Sequence, residues 1–143
     1  MAAMISQKPS MRVSRPRILL VDDDPGVLAG LRRVLHIAEP IWEIVTAIDG
    51  KRALQALSTG RFDVVLTDLT MPGIDGFELL AEVRRSHPGT IRIIHSSQLT
   101  TLGPERVRHL SDGAIPKPSP ALDLLSIMRW AERVSRPAPR VAP

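Results

Sequence analysis

RILLVDDDPG, residues 17–26, runs an aliphatic stretch straight into consecutive carboxylates and then a Pro-Gly pair. A strand with one wet face alternates apolar and polar side chains, so an unbroken apolar run reads as a strand covered on both faces. The acids stand at its end. Asp24 followed by Pro25 is the N-cap and first-turn pair that opens a helix. The stretch therefore reads as a buried strand with an acidic mouth, feeding a helix.

The same design recurs along the chain. DVVLT at 63–67 is continuous and ends at Asp68, IRIIH at 91–95 ends at Ser96, and the shorter runs at 43–47 and 114–116 complete the set, the last ending at Lys117. Between them lie apolar stripes of helical period: Val27, Leu28, Leu31, Val34 and Leu35; Ala53, Leu54 and Leu57; Phe77, Leu80 and Val83; Leu124, Ile127, Met128, Ala131 and Val134. The segment after Ser96 is sparse, with Leu102, Val107 and Leu110 around a Gly103-Pro104 break, and Pro104 starts its helix late. Asp75, with Glu78 three residues on, resembles a capping box. Strand alternating with helix over short connections predicts an α/β fold. It is a doubly wound, three-layer (βα)5 domain with a five-stranded parallel sheet and right-handed crossovers. In such sheets the ligand crevice lies beyond the carboxyl ends of the strands, where all these acids stand.

The 143 residues suit one domain, expected over 17–135, with a disordered basic N-terminal tail over 1–16 and a Pro-rich tail or linker over 136–143. Cysteine is absent, which excludes disulfides, thiolate metal sites and a cysteine nucleophile, and suits a cytoplasmic protein. No run approaches the roughly 20 apolar residues of a membrane span, and the N-terminus lacks a signal-peptide core, so no membrane partner is expected. The net charge of +4 is unevenly placed. Lys8, Arg12, Arg15 and Arg17 lie at one end and Arg133, Arg136 and Arg140 at the other, leaving 12 of the 19 basic residues against 14 of the 15 acidic ones in 18–129. Basicity confined to Pro/Ser/Arg-rich ends is commoner in solubilising or linker segments than in DNA-binding arms, and direct nucleic-acid binding by this chain is not expected.

Adjacent first and third strands would bring Asp22, Asp23 and Asp68 together. Carboxylates that close repel, and unless a cation joins them one has its pKa raised. An oxygen-only donor set without cysteine or paired histidines points to Mg²⁺ or Mn²⁺ rather than zinc. A carboxylate beside such a cation suits a phosphoryl acceptor, and the Ser96 hydroxyl and Lys117 ammonium suit its phosphoryl oxygens. Lys117 precedes Pro118, so a cis peptide there would aim the lysine inward.

The ordered set VDDD, DLTMPGIDG, Ser96 and KP at 117–118 resembles the receiver domain of two-component response regulators, the chemotaxis-regulator-like group, over about 17–134. The resemblance implies a flavodoxin-like fold in which Asp68 accepts a phosphoryl group from a sensor histidine kinase's phosphohistidine or from a phosphotransfer protein. It implies Mg²⁺ on Asp23, Asp68 and the Thr70 backbone carbonyl, with Asp22 in support partly through water. Lys117 would contact the phosphoryl group, Ser96 would swing toward it, and Thr70 and Gln98 would tune its loss. Such a domain is not an enzyme beyond its own phosphorylation and slow autodephosphorylation. Its partners would be the kinase and an output domain or downstream protein, with homodimerisation open. One departure stands out: the family's aromatic three residues before the lysine is Ala114 here, and the chain has no tyrosine.

Two other readings compete. A pseudo-receiver would bind partners without phosphorylation. An Asp-nucleophile phosphatase would carry D-x-D, but Thr70 stands two after Asp68, and Asp24, two after Asp22, is accounted for as a cap. Of the histidines, His36, His87 and His109 read as surface residues, whereas His95 falls in a strand where the family has an aliphatic residue and reads as buried and hydrogen-bonded. Trp42 and Trp130 read as packing at sheet edges.

Overall fold

A computed structural model describes residues 15–135. The strands are β1 (Arg17–Val21), β2 (Glu43–Ala47), β3 (Val64–Thr67), β4 (Ile91–Ser96) and β5 (Gly113–Pro116). The helices are α1 (Pro25–Ala38), α2 (Gly50–Leu57), α3 (Gly76–Ser86), α4 (Leu99–Leu102), α5 (Pro104–Leu110) and α6 (Ala121–Ser135). The strands form one parallel sheet in the order β2-β1-β3-β4-β5. The doubly wound α/β fold expected from the sequence is the fold observed.

The continuous apolar runs are explained by two cores. Ile18 and Leu20 of β1 point into a layer with Leu28, Leu31 and Leu35 of α1 and Leu124, Met128 and Ala131 of α6. Leu19 and Val21 point the other way, onto Ala53 and Leu57 of α2 and Leu79 and Val83 of α3. Each such side chain contributes about 1.5–3 kcal/mol on leaving water, so a polar residue anywhere in the run would be costly.

The helix stripes differ from expectation in detail. Leu79 joins the α3 face, while in α6 Val134 is exposed and Ser135 is buried in its stead. The fourth crossover is two short helices rather than one. Gly103, with φ of +80°, separates them, and neither contributes a fully buried residue. At the N-terminal end the described residues begin at Arg15, inside the span 1–16 expected as a tail. Pro16 is buried with its carbonyl accepting the Glu43 N–H, and Arg15 donates to the Ile41 carbonyl. The remaining tail residues, 1–14 and 136–143, lie outside the described residues. Among the described residues no helix is long and apolar enough to cross a membrane.

Candidate functional site

Strand order reverses between β1 and β3, the place where doubly wound sheets open a crevice. Val21 pairs with Thr67, and the Asp68 N–H donates to the Val21 carbonyl at 3.0 Å, so sheet register sets Asp22 beside Asp68. Asp22, Asp23 and Asp68 come together, with one ligand oxygen from each lying within 4.8 Å of the others. Asp22 is buried, Asp68 half-buried and Asp23 exposed, so the cluster opens outward at Asp23.

Like charges this close need a counter-charge, and the chain supplies one. Lys117 Nζ donates to Asp22 Oδ2 at 2.6 Å and to Asp68 Oδ2 at 3.1 Å. Burial works against the charge on Lys117, but its hydrogen bonds to the two carboxylates outweigh that and hold its pKa above the ordinary lysine value. β5 delivers the lysine: its backbone N–H donates to the Ser96 carbonyl, and the Lys117–Pro118 peptide is cis. The remaining carboxylate oxygens are held by backbone. Asp22 Oδ1 accepts the Asp24 N–H at 2.9 Å and Asp68 Oδ1 the Leu69 N–H at 2.8 Å.

Ser96 ends β4, buried, and its Oγ accepts the Gln98 N–H at 3.0 Å. Thr70 is exposed, its hydroxyl reaching Gln98 Oε1 only at 3.4 Å. Asp24 faces away from the cluster's work: it caps α1, accepting the Gly26 and Val27 N–H groups. Oxygen donors at this spacing, one of them exposed and without a hydrogen bond among the described residues, fit a hard divalent cation with waters on its open side.

Two glycines escaped notice as site residues. A Cβ on Gly76 would fall on the Asp68 carbonyl, and one on Gly50 on the Ile74 carbonyl, so both hold the loop after Asp68 against the sheet. The trace in sequence is the same for both, a glycine directly after a helix cap: Asp49, which accepts the Arg52 N–H, before Gly50, and Asp75, whose Oδ1 accepts the Glu78 N–H, before Gly76. Thr67, whose hydroxyl donates to the Asp68 carbonyl, pins the same loop.

His95 corrects an expectation. It is buried, but neither ring nitrogen has a hydrogen-bond partner among the described residues. Burial first, and the Lys117 charge second, hold its pKa below the ordinary histidine value. Trp42 packs into the core at the β2 side of the sheet, and Trp130 lies over the other edge, within 3.6 Å of where a Gly113 Cβ would stand. Ala114 is half-buried against the cluster of Leu69, Leu80 and Ile94.

A family model described as the response regulator receiver domain matches residues 18–129. The transcriptional regulatory protein TcrA of Mycobacterium tuberculosis is 37% identical over 134 residues, covering 90% of this chain and 50% of its own length. The chain thus spans half of that relative. Among solved structures, a CheY-like receiver domain protein from Methanospirillum hungatei superposes with a TM-score of 0.76 at 25% identity, over 85% of this chain and 97% of its own. TrrA of Thermotoga maritima, solved in complex with Mg²⁺ and BeF, superposes with a TM-score of 0.73 at 28% identity, over 81% of this chain and 98% of its own.

Proposed function

This chain belongs to the response regulator receiver domain family, and from that premise we propose that Asp68 is its phosphoacceptor, loaded from a kinase phosphohistidine in the presence of Mg²⁺. The observation that carries the reading is the carboxylate cluster within 4.8 Å, with Lys117 bridging Asp22 and Asp68. A carboxylate oxygen of Asp68 forms the new P–O bond as the donor's P–N bond breaks, and the leaving imidazole keeps the electron pair and takes a proton from solvent. Asp68 needs no base, because it attacks as the carboxylate.

The other residues divide the work. Asp23, Asp68 and the Thr70 carbonyl hold the divalent cation, with Asp22 in support; the cation supplies charge neutralisation for the phosphoryl oxygens. Mn²⁺ presents similar chemistry to the same oxygens. Lys117, already in the crevice, transfers its hydrogen bonds from the carboxylates to the phosphoryl group. Ser96 Oγ accepts a backbone N–H and keeps its own proton for a phosphoryl oxygen. The magnesium complex of TrrA supports this reading. Conformational change at Ser96 then alters what the domain binds, through an output domain, a downstream protein or a second copy. The arrangement supports a switch rather than a turnover enzyme, one that would act in the cytoplasm alongside its kinase.

Intact-mass spectrometry after incubation with acetyl phosphate tests the proposal. A phosphoryl adduct that needs Mg²⁺ and vanishes in Asp68→Ala is the expected result. No adduct with any donor would overturn it in favour of the pseudo-receiver, and continuous release of phosphate from a monoester would favour the Asp-nucleophile phosphatase.

A further inference from the structure

The flank of α1 that faces β2 carries a groove of about 460 Å³ that the phosphoacceptor chemistry does not use. Leu28, Ala29 and Ile48 are its apolar walls, and Arg32, Arg33 and His36 its rim. The opposite flank of α1 carries a smaller groove of about 290 Å³ beside Lys117, lined by Gly26, Val27, Gly30 and Leu31 and part of the phosphoacceptor's surroundings. β2 is an edge strand, so no further strand covers the groove's outer side, and Ile48 is left 44% exposed. The Arg32 and Arg33 side chains form no ion pair or hydrogen bond among the described residues, and no acidic residue lines the groove. An apolar floor under an unneutralised basic rim is a surface prepared for something both oily and acidic.

Charge decides among occupants. The chain's own ends outside the described residues carry Lys8, Arg12, Arg136 and Arg140 and no acid, so they are repelled. A second copy docking by the same face would set Arg32 and Arg33 against themselves across the two-fold axis. We infer that the α1–β2 groove docks an acidic amphipathic helix of a partner protein, aliphatic side chains on Leu28 and Ile48, carboxylates on Arg32, Arg33 and His36. Arg32 and His36 are one turn apart on α1, the spacing at which carboxylates one turn apart on a partner helix meet them. The docking needs no phosphoryl group on Asp68.

The probe is a synthetic peptide of leucine and glutamate at helical spacing, titrated into the isotope-labelled, unphosphorylated domain and followed by amide chemical shifts. Shifts are expected along Leu28–Ile37 and at Thr46–Ile48. Affinity should fall roughly tenfold in Arg32→Glu/Arg33→Glu, the loss of two exposed charge contacts, and should fall again with salt. Ile48→Ser should weaken binding while leaving its salt dependence intact. Both variants should form the phosphoryl adduct as the parent does, so a failure here is separable from a failure of the phosphoacceptor reading. Equal binding of the lysine counterpart, equal binding of a glutamate peptide lacking leucine, shifts that map elsewhere, or no binding would each overturn the proposal. So would anionic phospholipid vesicles displacing the peptide from the same residues, which would give the face to a membrane surface.

Discussion

His95 is held at a cost, because a buried imidazole whose two nitrogens have no partner among the described residues has given up its water without replacing those hydrogen bonds. Its ordinary pKa is 6.5, and burial followed by the Lys117 charge lowers it in the folded state. As pH falls below 6.5 the unfolded chain takes the proton first, so the stability present above that value is lost progressively until the folded pKa is reached. His95→Leu is expected to raise stability at neutral pH by about 1 kcal/mol and to flatten the acid limb of the pH profile, both read from denaturant midpoints. Lys117 has the opposite sign. Its folded pKa lies above 10.5, so its contribution is complete below that value and is lost as pH rises through the folded pKa. Lys117→Met should abolish that alkaline limb and slow adduct formation by about a hundredfold, the cost of removing one charged donor from a developing phosphoryl charge. An unchanged rate would remove Lys117 from the chemistry.

At the scale of elements, neighbouring acids separate by what they hold. Asp24 fastens the first turn of α1, so Asp24→Ala should cost about 1 kcal/mol of stability and leave the phosphoryl adduct intact. Asp23 fastens nothing among the described residues, so Asp23→Ala should keep or raise stability, by relieving repulsion, while the adduct is lost. The crossed outcome, with stability following Asp23 and chemistry following Asp24, would overturn the assignment. The elements were legible wherever one side chain had one task. β1 and β2 begin and end where their apolar runs do, and Asp24-Pro25 marks the start of α1. The fourth crossover was legible only as weakness, because helices of four and seven residues bury too little to print a stripe. Gly76 and the bonding of His95 were opaque for a common reason: each depends on what the fold sets beside it, the Asp68 carbonyl in one case and surroundings with no hydrogen-bond partner among the described residues in the other.

For the molecule as a whole, the sheet's order turns separate sequence motifs into one site. β1, β3 and β5 are far apart in the chain, yet register between β1 and β3 and a single strand between β3 and β5 let Lys117 reach Asp22 and Asp68. The same convergence loads the fold with carboxylates that its own lysine neutralises only in part, since Asp23 has no bonded partner among the described residues. A divalent cation that binds these oxygens in the folded state, and finds no such cluster in the unfolded chain, must stabilise the whole domain. With free Mg²⁺ at about 100 times its dissociation constant the gain is about 2.7 kcal/mol, a rise of several degrees in thermal midpoint. Asp23→Asn should keep the fold and lose the rise. Sodium chloride at matched ionic strength separates binding from screening: if it reproduces the shift in the parent, the acids are a screened surface cluster and not a cation site.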